Sequence, residues 1–108
     1  MAFVKTPSVL FGSNYNYQSD TIELDRTEYA NISAGEADAS TGDYRRIMYG
    51  LLEDCYARFM AQAVADRPAR MTFVKNTSVN DTVGNAQVTY TIRFTVDNVI
   101  AEVSDEPV

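Results

Sequence analysis

The chain has 108 residues, of which 45% are hydrophobic, and its formal net charge is −6 with one cysteine and no histidine. This length and composition predict a single folded domain, residues 1–108, and the lone cysteine excludes an intrachain disulfide. The acidic balance disfavours binding to nucleic acid or to an anionic membrane surface, and no segment is apolar enough to predict a signal peptide or a membrane span.

Residues 1–12 are expected to be extended, either as an edge strand or as an N-terminal arm that folds against a neighbour. Two short apolar pieces, one around Phe3 and one ending at Phe11, are separated by Pro7. Proline cannot donate a hydrogen bond to a β-ladder, so it favours an edge position over the interior of a sheet.

Residues 12–19 form a polar segment that contains Tyr15 and Tyr17 among Ser and Asn. That composition is typical of binding loops, because tyrosine supplies contact area at a low cost in entropy, but a turn whose tyrosines fold onto a sheet fits equally well. Two short extended pieces follow at 21–25 and 26–33. Tyr29 and Ile32 are the apolar anchors of the second piece.

A long helix is predicted over residues 41–66, with Ser40 and Asp43 in a capping-box arrangement at its start and Pro68 beyond its end. Its apolar residues recur every three or four positions: Tyr44, Ile47, Met48, Leu51, Leu52, Cys55, Phe59 and Ala63. Gly50 lies off this stripe, where it either permits a close approach by a neighbouring chain or has no effect.

A β-hairpin is predicted after the helix, with strands over 71–79 and 86–96 and a turn over 80–85. Apolar and polar residues alternate strictly from Ala86 to Val96. This period of two indicates one buried and one solvated face, and we expect the helix to cover the buried face. The sequence thus predicts an α+β domain, a mainly antiparallel sheet with one long helix packed across it and a C-terminal hairpin.

The hairpin, residues 71–96, is rich in Thr, Asn and Val and follows the segment Ala65-Asp-Arg-Pro-Ala-Arg-Met-Thr-Phe73. In these features the chain resembles small structural proteins of tailed bacteriophages, such as capsid decoration and tail proteins. The resemblance implies a non-enzymatic virion protein that acts by oligomeric assembly, with itself and other virion proteins as partners. It includes no diagnostic motif, so it assigns no functional residues.

The residue types present exclude several kinds of chemistry. Without histidine there can be no Ser-His-Asp or Cys-His catalysis, and one cysteine cannot build a zinc or iron–sulfur site within one chain. Cys55 is predicted to be a small core residue, because nothing in the pattern would activate it as a nucleophile. The acidic groups at 20–25 and 36–43 lack the spacing of an EF-hand loop. We therefore expect no enzymatic activity, no cofactor and no metal site.

Charge is unevenly distributed, with acidic residues at 20–38 and in a tail at 104–108 and basic residues gathered in the middle of the chain. This segregation suits contact between copies, although a merely solvated surface accounts for it as well. The candidate interaction residues are Tyr15, Tyr17, Arg45, Arg46, Phe3 and Phe11.

Two alternatives to the virion protein remain open. One is a ligand-binding or enzymatic domain with a pocket between helix and sheet, which would use Tyr44, Tyr56 and Tyr90 with Arg58 or Arg93 as polar groups. The other is a bacterial adaptor that receives a peptide along a strand edge.

Overall fold

The computed structural model describes residues 6–96, which contain two helices, two antiparallel hairpins and two short 3₁₀ turns. The elements are α1 Pro7–Phe11, β1 Asn16–Gln18, β2 Thr21–Glu23, the 3₁₀ turns Arg26–Glu28 and Val64–Asp66, α2 Tyr44–Ala61, β3 Met71–Asn80 and β4 Asn85–Phe94. The α+β class is confirmed, with one long helix and a C-terminal hairpin. The strands form two separate two-stranded sheets, β1–β2 and β3–β4.

Helix α2 begins later and ends earlier than the predicted 41–66. Asp43 is its N-cap and accepts a hydrogen bond from the backbone N–H of Arg45 at 2.9 Å. Ser40 is not the cap, because Ser40 and Thr41 donate their backbone N–H groups to the Asp38 carboxylate in a separate turn. The carboxylate of an N-cap satisfies an otherwise unpaired N–H group of the first turn.

The C-terminal end of α2 is set by an extended backbone at Gln62, with φ −70° and ψ 142°. The chain then makes the short 3₁₀ turn Val64–Asp66 and reaches Pro68, after which β3 begins. The helical periodicity therefore continues in sequence for a few residues beyond the point where the helix itself stops.

The N-terminal expectation of extended structure is wrong for Pro7–Phe11, which form the helix α1. Proline suits this place because the first helical residue needs no N–H partner and proline already has a helical φ. Leu10 and Phe11 pack against the core. Phe3 lies outside the described residues, as do the C-terminal residues 97–108.

Residues 26–33 are also not extended. Arg26–Glu28 form a 3₁₀ turn capped by Asp25, which accepts from the backbone N–H and the hydroxyl of Thr27, and an irregular turn follows over 29–33. Tyr29 and Ile32 are nevertheless buried, at 1% and 5% exposure, so the prediction that these two residues anchor the segment is confirmed.

The core is small: the buried hydrophobic residues among 6–96 are Tyr29, Ile32, Cys55, Phe59 and Phe73. The predicted core position of Cys55 is confirmed, and burial raises the pKa of its thiol. Arg58 of α2 contacts two other segments around the core. It donates to the backbone oxygens of Leu10 and Glu28, and its guanidinium lies 4.7 Å from the centre of the Tyr29 ring. Three separate segments therefore meet at one side chain.

The β3–β4 hairpin is regular, with ten residue pairs from Met71↔Phe94 at one end to Asn80↔Asn85 at the other. The turn is closed by the Asn80 side chain, which accepts from the backbone N–H groups of Thr82 and Val83. Gly84 has φ +76°, a left-handed conformation that glycine adopts without strain. The predicted hairpin is confirmed, although β4 ends at Phe94 and not at Val96.

Candidate interaction surface

The alternation in β3 and β4 places one set of side chains on the side of the hairpin that faces α2. This helix-facing side consists of Met71, Phe73, Lys75, Thr77 and Val79 on β3, and Ala86, Val88, Tyr90, Ile92 and Phe94 on β4. Only Phe73 is buried, and Tyr90 is half-buried. The expectation that the helix covers this whole face is wrong.

The uncovered part has a geometric cause. Each strand of ten residues is about 33 Å long, whereas a helix with its side chains is about 10–12 Å across. The ring contacts between α2 and the hairpin are those of Tyr49, Tyr56 and Phe59 with Phe73 and Tyr90. We call residues 71–75 with 90–94 the base of the hairpin, and residues 76–80 with 85–89 its distal half.

A polar cluster marks the border between base and distal half. The Lys75 ammonium lies 2.7 Å from the Glu53 carboxylate, and the Tyr90 hydroxyl donates to the same carboxylate. Lys75 holds the pKa of Glu53 below its usual value, and Glu53 in turn raises the pKa of Lys75. Burial, and then the neighbouring Glu53 carboxylate, raise the pKa of Tyr90. These contacts fix α2 to both strands at one level.

Apolar side chains are exposed on both sides of this border. The exposed fractions are 65% for Val79, 66% for Val83 in the turn and 36% for Val88, and at the base they are 38% for Ile92 and 56% for Phe94. A small soluble domain can expose single apolar residues without consequence, but a contiguous apolar surface generally marks an interaction site.

The two outer strand edges of the hairpin carry no further strand within residues 6–96. Natural proteins usually protect such edges with proline, charged side chains or a bulge. Strands β3 and β4 contain no proline, no carboxylate and no break in register, and their two charged residues are Lys75 and Arg93. The backbone N–H and C=O groups along both edges are thus suited to pairing with another strand.

An apolar groove of about 550 Å³ lies between the end of α2, the segment 64–69 and the start of β3. Its lining includes Phe59, Met60, Val64, Pro68, Met71 and Phe73. The one charged side chain there, Arg67, already donates to the backbone oxygens of Gln62 and Met60 and lies over the Phe59 ring. The groove therefore lacks the converging polar groups that fix a small ligand in place.

Two of the six candidate interaction residues are brought together near the core. Phe11 and Tyr15 stack with ring centres 5.8 Å apart, and the Phe11 backbone oxygen accepts from the Tyr29 hydroxyl at 2.7 Å. Both side chains are half-buried, so they stabilise the turn after α1 as well as lining the surface.

The other described candidates lie apart from this pair. Tyr17, on β1, is 61% exposed and donates to Asp20 across the tight turn. Arg45 pairs with Asp43 at 2.9 Å, and Arg46 pairs with Glu36 at 3.0 Å. The two arginines are therefore already neutralised within the chain, at the start of α2.

The pocket alternative named residues that do not gather around a cavity. Tyr56 and Tyr90 pack edge-to-face in the core, Arg58 is engaged with backbone oxygens, and Tyr44 is 80% exposed at the helix start. The apolar groove at the end of α2 is lined by other residues.

No known protein family, curated protein or solved structure matches this chain. Its likeness to structural proteins of tailed phages therefore stays a prediction, and no functional residue can be transferred from a relative. Residues 6–96 contain no group of three acidic or cysteine side chains placed to hold a metal ion. Over the same residues no helix is both long and apolar enough to cross a membrane.

Sequence reasoning missed the distal half of the hairpin as a surface. The alternation in 86–96 was visible, but it shows only that one face is apolar and not what covers it. The length of the strands was the available signal, because two ten-residue strands exceed what one crossing helix can cover.

Proposed function

We propose that this protein is a non-enzymatic structural component that works by assembling with copies of itself and with other proteins, as a capsid decoration or tail protein of a phage virion would. The observation that carries the proposal is the apolar surface on the helix-facing side of β3–β4, together with the two strand edges beside it that no other strand of residues 6–96 pairs with.

The small core gives independent support. Only five hydrophobic residues are buried among 6–96, whereas many large apolar side chains remain exposed. Folded domains of this size are stable by a narrow margin, so burying the exposed apolar side chains against another molecule would add substantially to that stability. A chain of this kind gains its full stability in an assembly.

The test is the solution mass of the full chain by light scattering over a concentration series at low and high salt. We expect a defined multiple of the 12.0 kDa chain mass that persists at high salt, because apolar contacts are not weakened by screening. A monomer at every concentration and both salt levels would contradict the proposal.

A second candidate is an adaptor that accepts an extended peptide, which the open strand edges favour. In that case the chain alone would be monomeric and would bind candidate peptides saturably. The small-ligand alternative has less support, because the polar groups that it requires do not line the groove.

A further inference from the structure

Strand β4 offers an edge that fits a second copy of itself. We propose that two chains pair antiparallel along β4, about a two-fold axis at Tyr90, so that two hairpins become one four-stranded sheet. This inference rests on the proposed function and specifies the mode of assembly.

The side chains of β4 are self-complementary in this register. On the helix-facing side, Val88 of each chain lies opposite Ile92 of the other, and Ala86 lies opposite Phe94. Each of these pairs joins two apolar residues, and Val88, Ile92 and Phe94 are all partly or largely exposed in the single chain. Apolar cross-strand pairs of this kind stabilise a sheet.

The polar side of β4 is compatible with the same register. Thr89 of each chain lies opposite Thr91 of the other, and Gln87 lies opposite Arg93. Threonine pairs form favourable cross-strand contacts, and glutamine can accept a hydrogen bond from a guanidinium. Every residue from Ala86 to Phe94 therefore lies opposite an apolar residue if it is apolar and a polar one if it is polar, with Tyr90 opposite its own copy on the axis.

The charges on β4 permit self-pairing along this strand. The chain carries a net charge of −6, but β4 itself has no carboxylate, and the Glu53 carboxylate beside Tyr90 is already paired with Lys75. Its single charge, Arg93, is six residues along the strand from the partner's copy, about 20 Å away. That distance exceeds the ~8 Å screening length at physiological salt.

The corresponding pairing along β3 is less favourable. A two-fold axis near the middle of β3 would place the two copies of Lys75 opposite or diagonal to each other, within about 8 Å. Each Lys75 is already held by Glu53 of its own chain, so bringing the two ion pairs together adds none of the apolar cross-strand contact that β4 supplies. In addition, segment 64–69 shares a groove with Thr72 and Val74, so the start of β3 is flanked by its own chain.

The test uses two full-length variants, Thr89→Cys and Thr91→Cys, which are mixed and exposed to a mild oxidant. Both threonines are exposed, and the native Cys55 is buried, so the wild-type chain serves as the background control. In the proposed register a cysteine at 89 lies directly opposite one at 91, within the Cα separation that a disulfide requires.

We expect the mixture to give about tenfold more disulfide-linked dimer than either variant alone, because pairing holds the thiols at high effective concentration. Two copies of the same variant lie diagonal to each other, about 7–8 Å apart, which is too far for a disulfide. If Thr89→Cys alone is linked as well as the mixture, the two-fold axis at Tyr90 is wrong.

The matched control is the mixture of Asn76→Cys and Ser78→Cys, which lie on the polar side of β3 and are also exposed. If this mixture is linked and the β4 mixture is not, the two chains pair along β3 and the inference is overturned.

The solution mass separates this inference from the proposed function. If the wild-type chain is an oligomer but the Thr89→Cys and Thr91→Cys mixture is not linked, the proposed function stands and pairing along β4 is overturned. If every sample is monomeric by light scattering and unlinked, both the inference and the proposed function fail.

Discussion

The base and the distal half of the β3–β4 hairpin share one register and one strand geometry, but their surroundings differ. At the base, Phe73 is 4% exposed and contacts the rings of Tyr56, Phe59 and Tyr90. In the distal half, Val79 occupies the equivalent side of the same strand and is 65% exposed. Along β3 the same alternation of residues therefore supplies a buried core residue at the base and an exposed surface in the distal half, whereas on β4 Ile92 and Phe94 are exposed even at the base.

This difference separates stability from interaction along a single hairpin. Burial of apolar area in the hairpin stabilises the folded chain where α2 supplies the other side of the contact. An isolated two-stranded hairpin is marginal in water, so the distal half relies on the base to hold its shape. In exchange, its apolar side chains and strand edges remain available to a partner.

The largest expected effect comes from removing the aromatic contact at the base. Phe73→Ala should lower the free energy of unfolding by about 3–5 kcal/mol, because it deletes a buried ring from a core of five residues. Chemical denaturation followed by circular dichroism measures the change. A loss of this size could leave the chain unfolded at 25 °C, since small domains have only about 5–15 kcal/mol of stability in total.

The matched control is Val79→Ala on the same side of β3. It should change the free energy of unfolding by less than about 1 kcal/mol, because the side chain is mostly exposed. Comparable losses in the two variants would show that the distal half is already covered, by a second copy or by another part of the chain, under the conditions of the measurement.

The sequence predicted the elements of this contrast better than their packing. Periodicity located α2 and both strands of the hairpin, and the turn residues Asn80 and Gly84 located the turn, because these features depend on local backbone preferences. The buried positions of Tyr29, Ile32 and Cys55 were also predictable from their apolar character.

What failed depends on contacts between distant segments. The alternation of Ala86–Val96 could not show how much of its face α2 would cover. Pro7 favours an edge strand as far as the sequence shows, but proline also suits the first turn of a helix such as α1. The neutralisation of Arg45 and Arg46 by Asp43 and Glu36 depends on how the loop folds back onto the helix, which spacing does not reveal.

A smaller effect is expected at Gly50 of α2, which lies against the Ile32 side chain. A methyl group there would clash with the Ile32 side chain and lie 3.3 Å from the backbone of Asn31. The close approach that this glycine permits is therefore made by the same chain. Gly50→Ala should destabilise the fold by about 1–3 kcal/mol from overpacking, against a gain of up to about 1 kcal/mol in helix propensity.

Gly35→Ala is the control for that substitution, since no atom lies within 4 Å of the position that its Cβ would take. It should change the free energy of unfolding, obtained by chemical denaturation, by less than about 0.5 kcal/mol. A stabilised Gly50→Ala variant would mean that the segment around Ile32 moves away at little cost and is not fixed against α2.

The smallest expected effect tests the border between the two halves. Because the folded state lowers the pKa of Glu53, its ionised form stabilises the fold above the unfolded pKa, and this contribution is lost as the pH falls through the folded value. Glu53→Gln should therefore lower stability near neutral pH and make the loss of stability on acidification below about pH 5 shallower. Lys75→Gln removes the partner charge and should flatten the acid-side slope less than Glu53→Gln does, because the Tyr90 hydroxyl still lowers the pKa of Glu53. The double variant should add little to Glu53→Gln, because the ion pair is already lost. Thermal unfolding at a series of pH values measures all three variants. An acid-side slope equal to that of the wild type would show that the Glu53–Lys75 pair does not couple α2 to the hairpin, so that the border is held by the aromatic contacts of Tyr90 alone.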